Sequence, residues 1–265
     1  MNIIVCLKQV PDTNEVRINQ ETGTLIRDGV PSIINPDDKN GLEEALRLKD
    51  QFGGKVTVIS MGPPQAKEAL RETIAIGADE VYLVSDRAFG GSDTWATATI
   101  LSAAIEKIGN YDLIICGRQA IDGDTAQVGP EIAEFLNIPQ VTYVKKVIKN
   151  DNKLIVQRYT ETGDYVIEVE MPALLTAIKE LNEPRYPNVK GIYKAYDKLK
   201  DEEIKILTLE DLQVDITQIG LKGSPTNVYK SFVPTKTKES KIMHYENKKE
   251  IINDLMVELH NLNLI

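Results

Sequence analysis

The chain has 265 residues, of which 42% are hydrophobic and 27% charged, and carries a formal net charge of −9. Its length suffices for one large α/β domain or a core with an extension, and no apolar run approaches the roughly 20 residues of a membrane span, so membrane insertion is not expected. The acidic balance, with no Lys/Arg stripe interleaved with aromatics, disfavours nucleic acid, whose phosphates demand basic surface.

The first eight residues have no basic n-region and no small-residue cleavage site. They read as a buried strand, not a signal peptide, which implies a cytoplasmic location. Strands predicted at 3–7, 55–61, 80–84 and 112–117 alternate with amphipathic helices at 41–52, 64–76, 94–108 and 126–136. Asp37 or Asp38 is the expected N-cap of the first helix, Gly53 and Gly54 its stop, Pro63 and Pro64 the opening of the second, and Asp93 the cap of the third. This series predicts an α/β fold with a doubly wound, mostly parallel sheet of the Rossmann-like, adenine-nucleotide-binding type. Cys6 and Cys116 each end an apolar run and read as small buried hydrophobes in a reducing compartment.

Between 141 and 177 the pattern changes to runs at 141–147, 154–159, 165–170 and 174–177, read as antiparallel strands and hairpins added to the sheet. Regular alternation stops after about Glu183. Residues 1–184 are therefore expected to form the core, and 185–265 a long C-terminal arm that ends in a helix over 248–262. The arm carries Ile204, Ile206, Leu207, Leu212, Val214 and Ile219, which call for another surface to cover them; an arm that grips a partner is expected, with a self-packed subdomain or a partly disordered tail as the alternative.

Open parallel sheets bind ligands beyond the carboxyl ends of their strands, where strand order reverses. Four post-strand segments stand out. The first sets Lys8, Gln9, Val10, Pro11, Asp12 and Thr13 beside Asn35, Pro36, Asp37 and Asp38. Proline fixes these loops, while amide and carboxylate groups suit a ribose or an adenine edge. The second, Met61-Gly62-Pro63-Pro64, opens a helix whose free N–H groups favour an anion, although loop sterics account for it equally. The third packs Arg87, Phe89, Gly90, Gly91, Ser92, Asp93 and Thr94 between a strand and a helix, which suits either nucleotide contact or a Gly-Gly turn closed by a helix cap.

The fourth segment is the most specific. Gly117, Arg118, Gln119, Ala120, Ile121 and Asp122 leave a strand, and Gly123, Asp124, Thr125, Ala126, Gln127 and Val128 lead into a helix whose start would stabilise a diphosphate. Asp122 and Asp124 read as caps or ribose contacts, and Arg118 as compensating charge. Neither a Gly-x4-Gly-Lys-Ser/Thr phosphate loop nor a Gly-x-Gly-x-x-Gly fingerprint occurs. No nucleophile and base assemble, since His244 and His260 lie in the tail and both cysteines read as buried. What survives is binding of an adenine nucleotide, with any redox chemistry carried by the nucleotide.

In order and spacing these segments resemble the electron-transfer flavoprotein beta family along essentially the whole chain. The likeness is carried by Lys8-Gln9-Val10, Asn35-Pro36, Gly62-Pro63, residues 75–79 and residues 117–124. Residues 158–176 resemble the family's beta-subunit signature, and 181–186 its loop for recognising partner dehydrogenases. The resemblance implies a heterodimer with a large FAD-binding alpha subunit, which the C-terminal arm wraps.

Two branches are implied. In one, the beta subunit holds a structural AMP. In the other, a second FAD replaces AMP, takes a hydride from NADH and divides its electrons between ferredoxin and the alpha-subunit FAD, which serves an acyl-CoA dehydrogenase-type flavoprotein. Residues 10–13 and 86–94 resemble loops that accommodate a flavin, so the FAD-binding, bifurcating branch is expected. AMP is the alternative, and a stand-alone adenine-nucleotide-binding module is the alternative of another class.

By position, the resemblance puts Cys6, Asn35, Pro36, Asp37, Asp38 and Met61 at the AMP half and 117–128 around the phosphates. Arg87 or Arg118 is the expected charge near the ring system. Arg118 stands where many AMP-binding relatives carry lysine, keeping the charge but adding a planar fork. Glu183, Pro184, Arg185, Tyr186 and Val189 are the expected docking residues, with Val189 in the place of a larger leucine.

Overall fold

β1 (Asn2–Cys6) buries Ile3, Ile4, Val5 and Cys6, the continuous apolar run of a strand covered on both faces. The computed structural model describes residues 1–12, 17–18, 25–26, 31–197, 203–229, 242 and 247–265. Four short strands follow: β2 (Gln9–Pro11), β3 (Arg17–Ile18), β4 (Leu25–Ile26) and β5 (Ser32–Ile34). β2 pairs with β5 and β3 with β4, both antiparallel.

The βα alternation then runs through α1 (Pro36–Phe52), β6 (Lys55–Met61), α2 (Lys67–Ile76), β7 (Glu80–Val84), α3 (Thr94–Ile108), β8 (Leu113–Gly117) and α4 (Val128–Phe135). It is followed by β9 (Gln140–Asn150), β10 (Lys153–Thr160), β11 (Gly163–Glu170), β12 (Ala173–Ala177), α5 (Val189–Tyr196), β13 (Ile204–Leu207), α6 (Gly220–Gly223) and α7 (Lys248–Asn261).

One 9-stranded sheet has the order β11-β10-β9-β12-β8-β1-β6-β7-β13. It is parallel from β9 to β13, and β9, β10 and β11 pair antiparallel. The chain builds outward from β1 through β6 to β7, then crosses back to β8 on the other side of β1. Strand order therefore reverses between β1 and β8, which is where a ligand crevice belongs. Helices cover both faces. Leu42, Leu46 and Leu70 of α1 and α2 pack with Ile3, Val5 and Ile115, while Ile100, Ile105 and Ile132 of α3 and α4 pack with Ile4, Ile59 and Ile114. Burial of each such side chain contributes about 1.5–3 kcal/mol. The expected α/β class and mostly parallel sheet stand.

Three local expectations are corrected. The run at 174–177, expected to be antiparallel, is β12, parallel to both β8 and β9. Every residue of β12 is buried, the pattern of a strand covered on both faces and not that of a half-exposed hairpin. The first helix starts at Pro36, with Asn35 and not an aspartate in the N-cap position, because proline is preorganised for the first helical turn.

The third correction concerns the apolar residues assigned to the arm. Ile204, Leu207, Leu212 and Ile219 are buried in this chain's own core, since β13 pairs with β7 and so covers what would otherwise be a sheet edge. Ile206 stays 47% exposed. The chain divides into compact units 1–229 and 230–265. In the second unit, Asn247 caps α7 by accepting from the Lys249 N–H, and Ile252, Leu255 and Met256 are exposed.

Candidate functional site

At the switch point between β1 and β8, one buried carboxylate joins the two strand ends. Asp38, in the first turn of α1, accepts the Lys8 N–H on Oδ2 at 2.7 Å and the Gly117 N–H on Oδ1 at 2.9 Å. Burial pushes its pKa from 3.8 up to about 7, against the opposing pull of the hydrogen bonds from Lys8, Asn35 and Gly117. Asn35 holds the next loop, donating from Nδ2 to the Gln119 carbonyl at 2.8 Å and accepting the Ile121 N–H at 3.1 Å. These side chains are thus used to fasten the strand-end loops, and α1 starts without a side-chain cap.

Arg118 follows Gly117 and brings its Nε to 3.3 Å from Asp37 Oδ2. Both atoms are buried, and neither has a hydrogen-bond partner among the described residues. Burial raises the Asp37 pKa while the Arg118 charge opposes it. On its other side the Arg118 guanidinium sits 5.9 Å from the ring centroid of Tyr143. Tyr143 has φ +56°, a left-handed backbone that bulky residues rarely adopt, and lies where β9 shifts register against β12.

Asp122 and Asp124 act as ties within the loop. Lys8 Nζ donates to both Asp122 oxygens at 2.8 and 2.9 Å, and Gln119 Nε2 donates to Asp124 at 2.8 Å. The loop then reaches α4 with Asp124 and Ala126 both in left-handed backbone, φ +50° and +53°. Changes of backbone hand of this kind can arrange successive N–H groups into an anion-binding concavity. The N-cap residue Gln127 makes no side-chain cap, so the first-turn N–H groups of α4 are left to other acceptors. Thr125 and Gln127 are exposed beside them, and the Arg118 side chain is 36% exposed.

The loop at 86–94 leaves β7 and is built differently. Phe89 is buried in the core beneath the loop, so its ring does not face the crevice. Asp86 accepts the N–H groups of Ala88 and Leu209, and Ser92 donates to the Phe89 carbonyl while accepting the Gly220 N–H. Asp93 caps α3 through Ala96 and accepts both the N–H and the hydroxyl of Thr226. Burial raises the Asp93 pKa, but these hydrogen bonds outweigh it and hold the carboxyl below its ordinary value. What this loop leaves open is Arg87, Gly90 and Gly91. It joins the other loops through Thr94, whose hydroxyl donates to Glu131 of α4 at 3.1 Å.

The structure therefore brings Lys8, Asn35, Asp37, Asp38 and 117–128 together at one crevice, with Cys6 buried and Met61 half-buried at the ends of their strands. Val10 is buried in the β2–β5 ribbon, and Pro11 and Asp12 are partly exposed. Thr13 and His244 lie outside the described residues.

The expected docking residues lie apart from the crevice, Arg185 against α1 and Val189 on α5, which packs against α2. Arg185 forks onto Glu43 at 2.8 and 3.1 Å and reaches Asp50 at 2.9 Å, which fixes the loop. Glu183 and Pro184 are exposed, Tyr186 is 92% exposed and Val189, the first residue of α5, 84%. Sequence reasoning missed Tyr143, Glu131 and the 220–226 segment that anchors the third loop. Of these, only Glu131 had a visible signal, an acid in a first helical turn.

Residues 22–212 match the family described as Electron transfer flavoprotein domain. Along its full length the chain is 61% identical to an "Electron transfer flavoprotein subunit beta" of Thermoanaerobacterium thermosaccharolyticum, covering 100% of both chains. It is 52% identical to the "Caffeyl-CoA reductase-Etf complex subunit CarD" of Acetobacterium woodii, and 49% to the "Acryloyl-CoA reductase electron transfer subunit gamma" of Anaerotignum propionicum, again with 100% of each chain covered.

Proposed function

Since the chain belongs to the electron transfer flavoprotein family as a beta subunit, we propose that it binds FAD in the crevice at β1 and β8 and serves a cytoplasmic, electron-bifurcating heterodimer. When bound, that FAD would supply hydride acceptance from NADH and one-electron transfer to ferredoxin and to the FAD of the alpha subunit, whose own partner is an acyl-CoA dehydrogenase-type flavoprotein. The observation that carries nucleotide binding is the start of α4, whose N-cap residue makes no side-chain cap and which is approached by backbone of changing hand.

The residues present fit an adenine dinucleotide. The α4 N–H groups and Arg118 would take the diphosphate charge, and Thr125 and Gln127 would add hydroxyl and amide contacts. Asp38 and Asn35 would hold the loops in place beneath it, sparing the ligand that ordering cost. On the third loop Arg87 and the exposed Gly91 would meet the rest of a flavin, since Ser92, Asp93 and both backbone groups of Gly90 are already bonded within the chain. The likeness to subunits of caffeyl-CoA and acryloyl-CoA reductase complexes supports an acyl-CoA-linked partner. Glu183, Pro184, Arg185, Tyr186 and Val189 would form its docking surface, and residues beyond 229 the arm that wraps the alpha subunit.

A second reading, AMP in place of FAD, uses the same α4 start and differs at the 86–94 loop, whose bonded side chains suit a purely structural part equally well. Mixing the anaerobic heterodimer with NADH separates the two. FAD in the beta subunit predicts direct bleaching of a flavin absorbance band without any dehydrogenase present; a spectrum unchanged by NADH would contradict it.

A further inference from the structure

Glu131 belongs to none of the segments discussed as ligand contacts, yet it stands between two of them. It lies in the first turn of α4, and its Oε1 accepts a 3.1 Å hydrogen bond from the hydroxyl of Thr94, the first residue of α3. The pair joins two helix starts, one fed by the loop from β7 and the other by the loop from β8. Its second oxygen, Oε2, is enclosed and has no hydrogen-bond partner among the described residues. An enclosed carboxylate oxygen without a donor is costly, and such an atom calls for a water or a ligand that completes it.

Several donors at the neighbouring start of α3 are already used. Asp93 N–H donates to Ser224, both donors of Thr226 go to Asp93, and the Ser92 hydroxyl goes to Phe89. Burial raises the pKa of the Glu131 carboxyl, the Thr94 bond lowers it and the Asp93 charge raises it further, as expected of a poorly solvated acid. A phosphate cannot complete Oε2, because two anions would repel. A hydroxyl or N–H group can.

We propose that Glu131 Oε2 accepts a hydrogen bond from a hydroxyl or N–H on the part of the nucleotide beyond its diphosphate, and so makes this site prefer a flavin dinucleotide to AMP. The inference rests on the reading of the crevice as an FAD site. AMP ends at its phosphate and offers nothing there, whereas the ribityl chain and ring of FAD carry several donors. Glu131 would thus act as a specificity-determining residue, with Thr94 holding it in place.

The test uses the full heterodimer stripped of its beta-subunit nucleotide, titrated separately with FAD and with AMP, alongside thermal unfolding of the nucleotide-free protein. Glu131→Gln keeps an acceptor for Thr94 and puts an NH2 group where Oε2 was. It should weaken FAD by about tenfold, leave AMP within about twofold, and leave the nucleotide-free Tm unchanged or higher. Equal weakening of both nucleotides, or of neither, overturns the proposal. Should the variant lower the nucleotide-free Tm, Glu131→Asp, which retains the carboxylate but draws it back, reads the same contrast by the same criteria. Wild-type protein that takes up AMP but no FAD overturns the parent reading and this one with it, so the two failures are distinct.

Discussion

Asp38→Ala should cost about 3 kcal/mol of stability near pH 5 and strip the protein of its nucleotide. The Asp38 carboxyl takes up the Lys8 and Gly117 N–H groups at the ends of neighbouring strands, and Ala would leave both donors without an acceptor, at about 1–3 kcal/mol each. The same change frees the strand-end loops that shape the crevice, so affinity falls with stability.

The loss should depend on pH in a direction set by the buried acid. Asp38 holds its proton up to about pH 7 in the fold and releases it near the ordinary value of 3.8 when unfolded. The folded state binds more protons across that window, so the Asp38 contribution to stability declines as pH rises through it. Urea unfolding of wild type and variant at about pH 5 and about pH 8 should show a larger difference at the lower value. A difference that grows with pH, or a variant as stable as wild type with its nucleotide retained, would refute this role.

Gly117→Ala should be at least as damaging, about 3 kcal/mol or more, because a methyl group there has no room. Its Cβ would fall far inside contact distance of Asp38 Oδ1, 2.8 Å from Asp38 N and 2.9 Å from the Asp37 carbonyl carbon. Backbone at a helix start cannot swing aside as a flexible side chain can, so β8 and α1 must separate. Gly123→Ala, a few residues on in the same loop, is the control. Its added Cβ meets nothing within 4 Å, and a change within about 0.5 kcal/mol is expected. Thermal unfolding of the two variants side by side reads the contrast; equal effects would mean that the close approach at Gly117 does not matter.

Much of this architecture was legible in the residues. The buried runs of β1, β6, β7 and β8 and the periodic helices between them follow from apolar patterning, and reversal of strand order at β1 places the crevice. Other parts were hidden for identifiable reasons. The start of α1 lay beyond the apolar period because Asn35 and Asp38 point their side chains to a loop 79 to 84 residues away. β13 is four residues long, too short for a pattern to stand out from its surroundings, and its meaning comes from the exposed side of β7.

The third loop shows the limit most clearly. Ser92 and Asp93 were visible as polar groups at a helix start, but their partners Gly220, Ser224 and Thr226 come more than 125 residues later and have no local signal. A tyrosine in left-handed backbone has none either, since the register shift between β9 and β12 places Tyr143 there and no intrinsic preference does.

The nucleotide content of the purified heterodimer tests the central claim most directly. Denaturing the complex and separating the released nucleotides should yield about two FAD per dimer and no AMP, because the proposed function puts a redox-active flavin in each subunit. One FAD accompanied by one AMP would contradict the account.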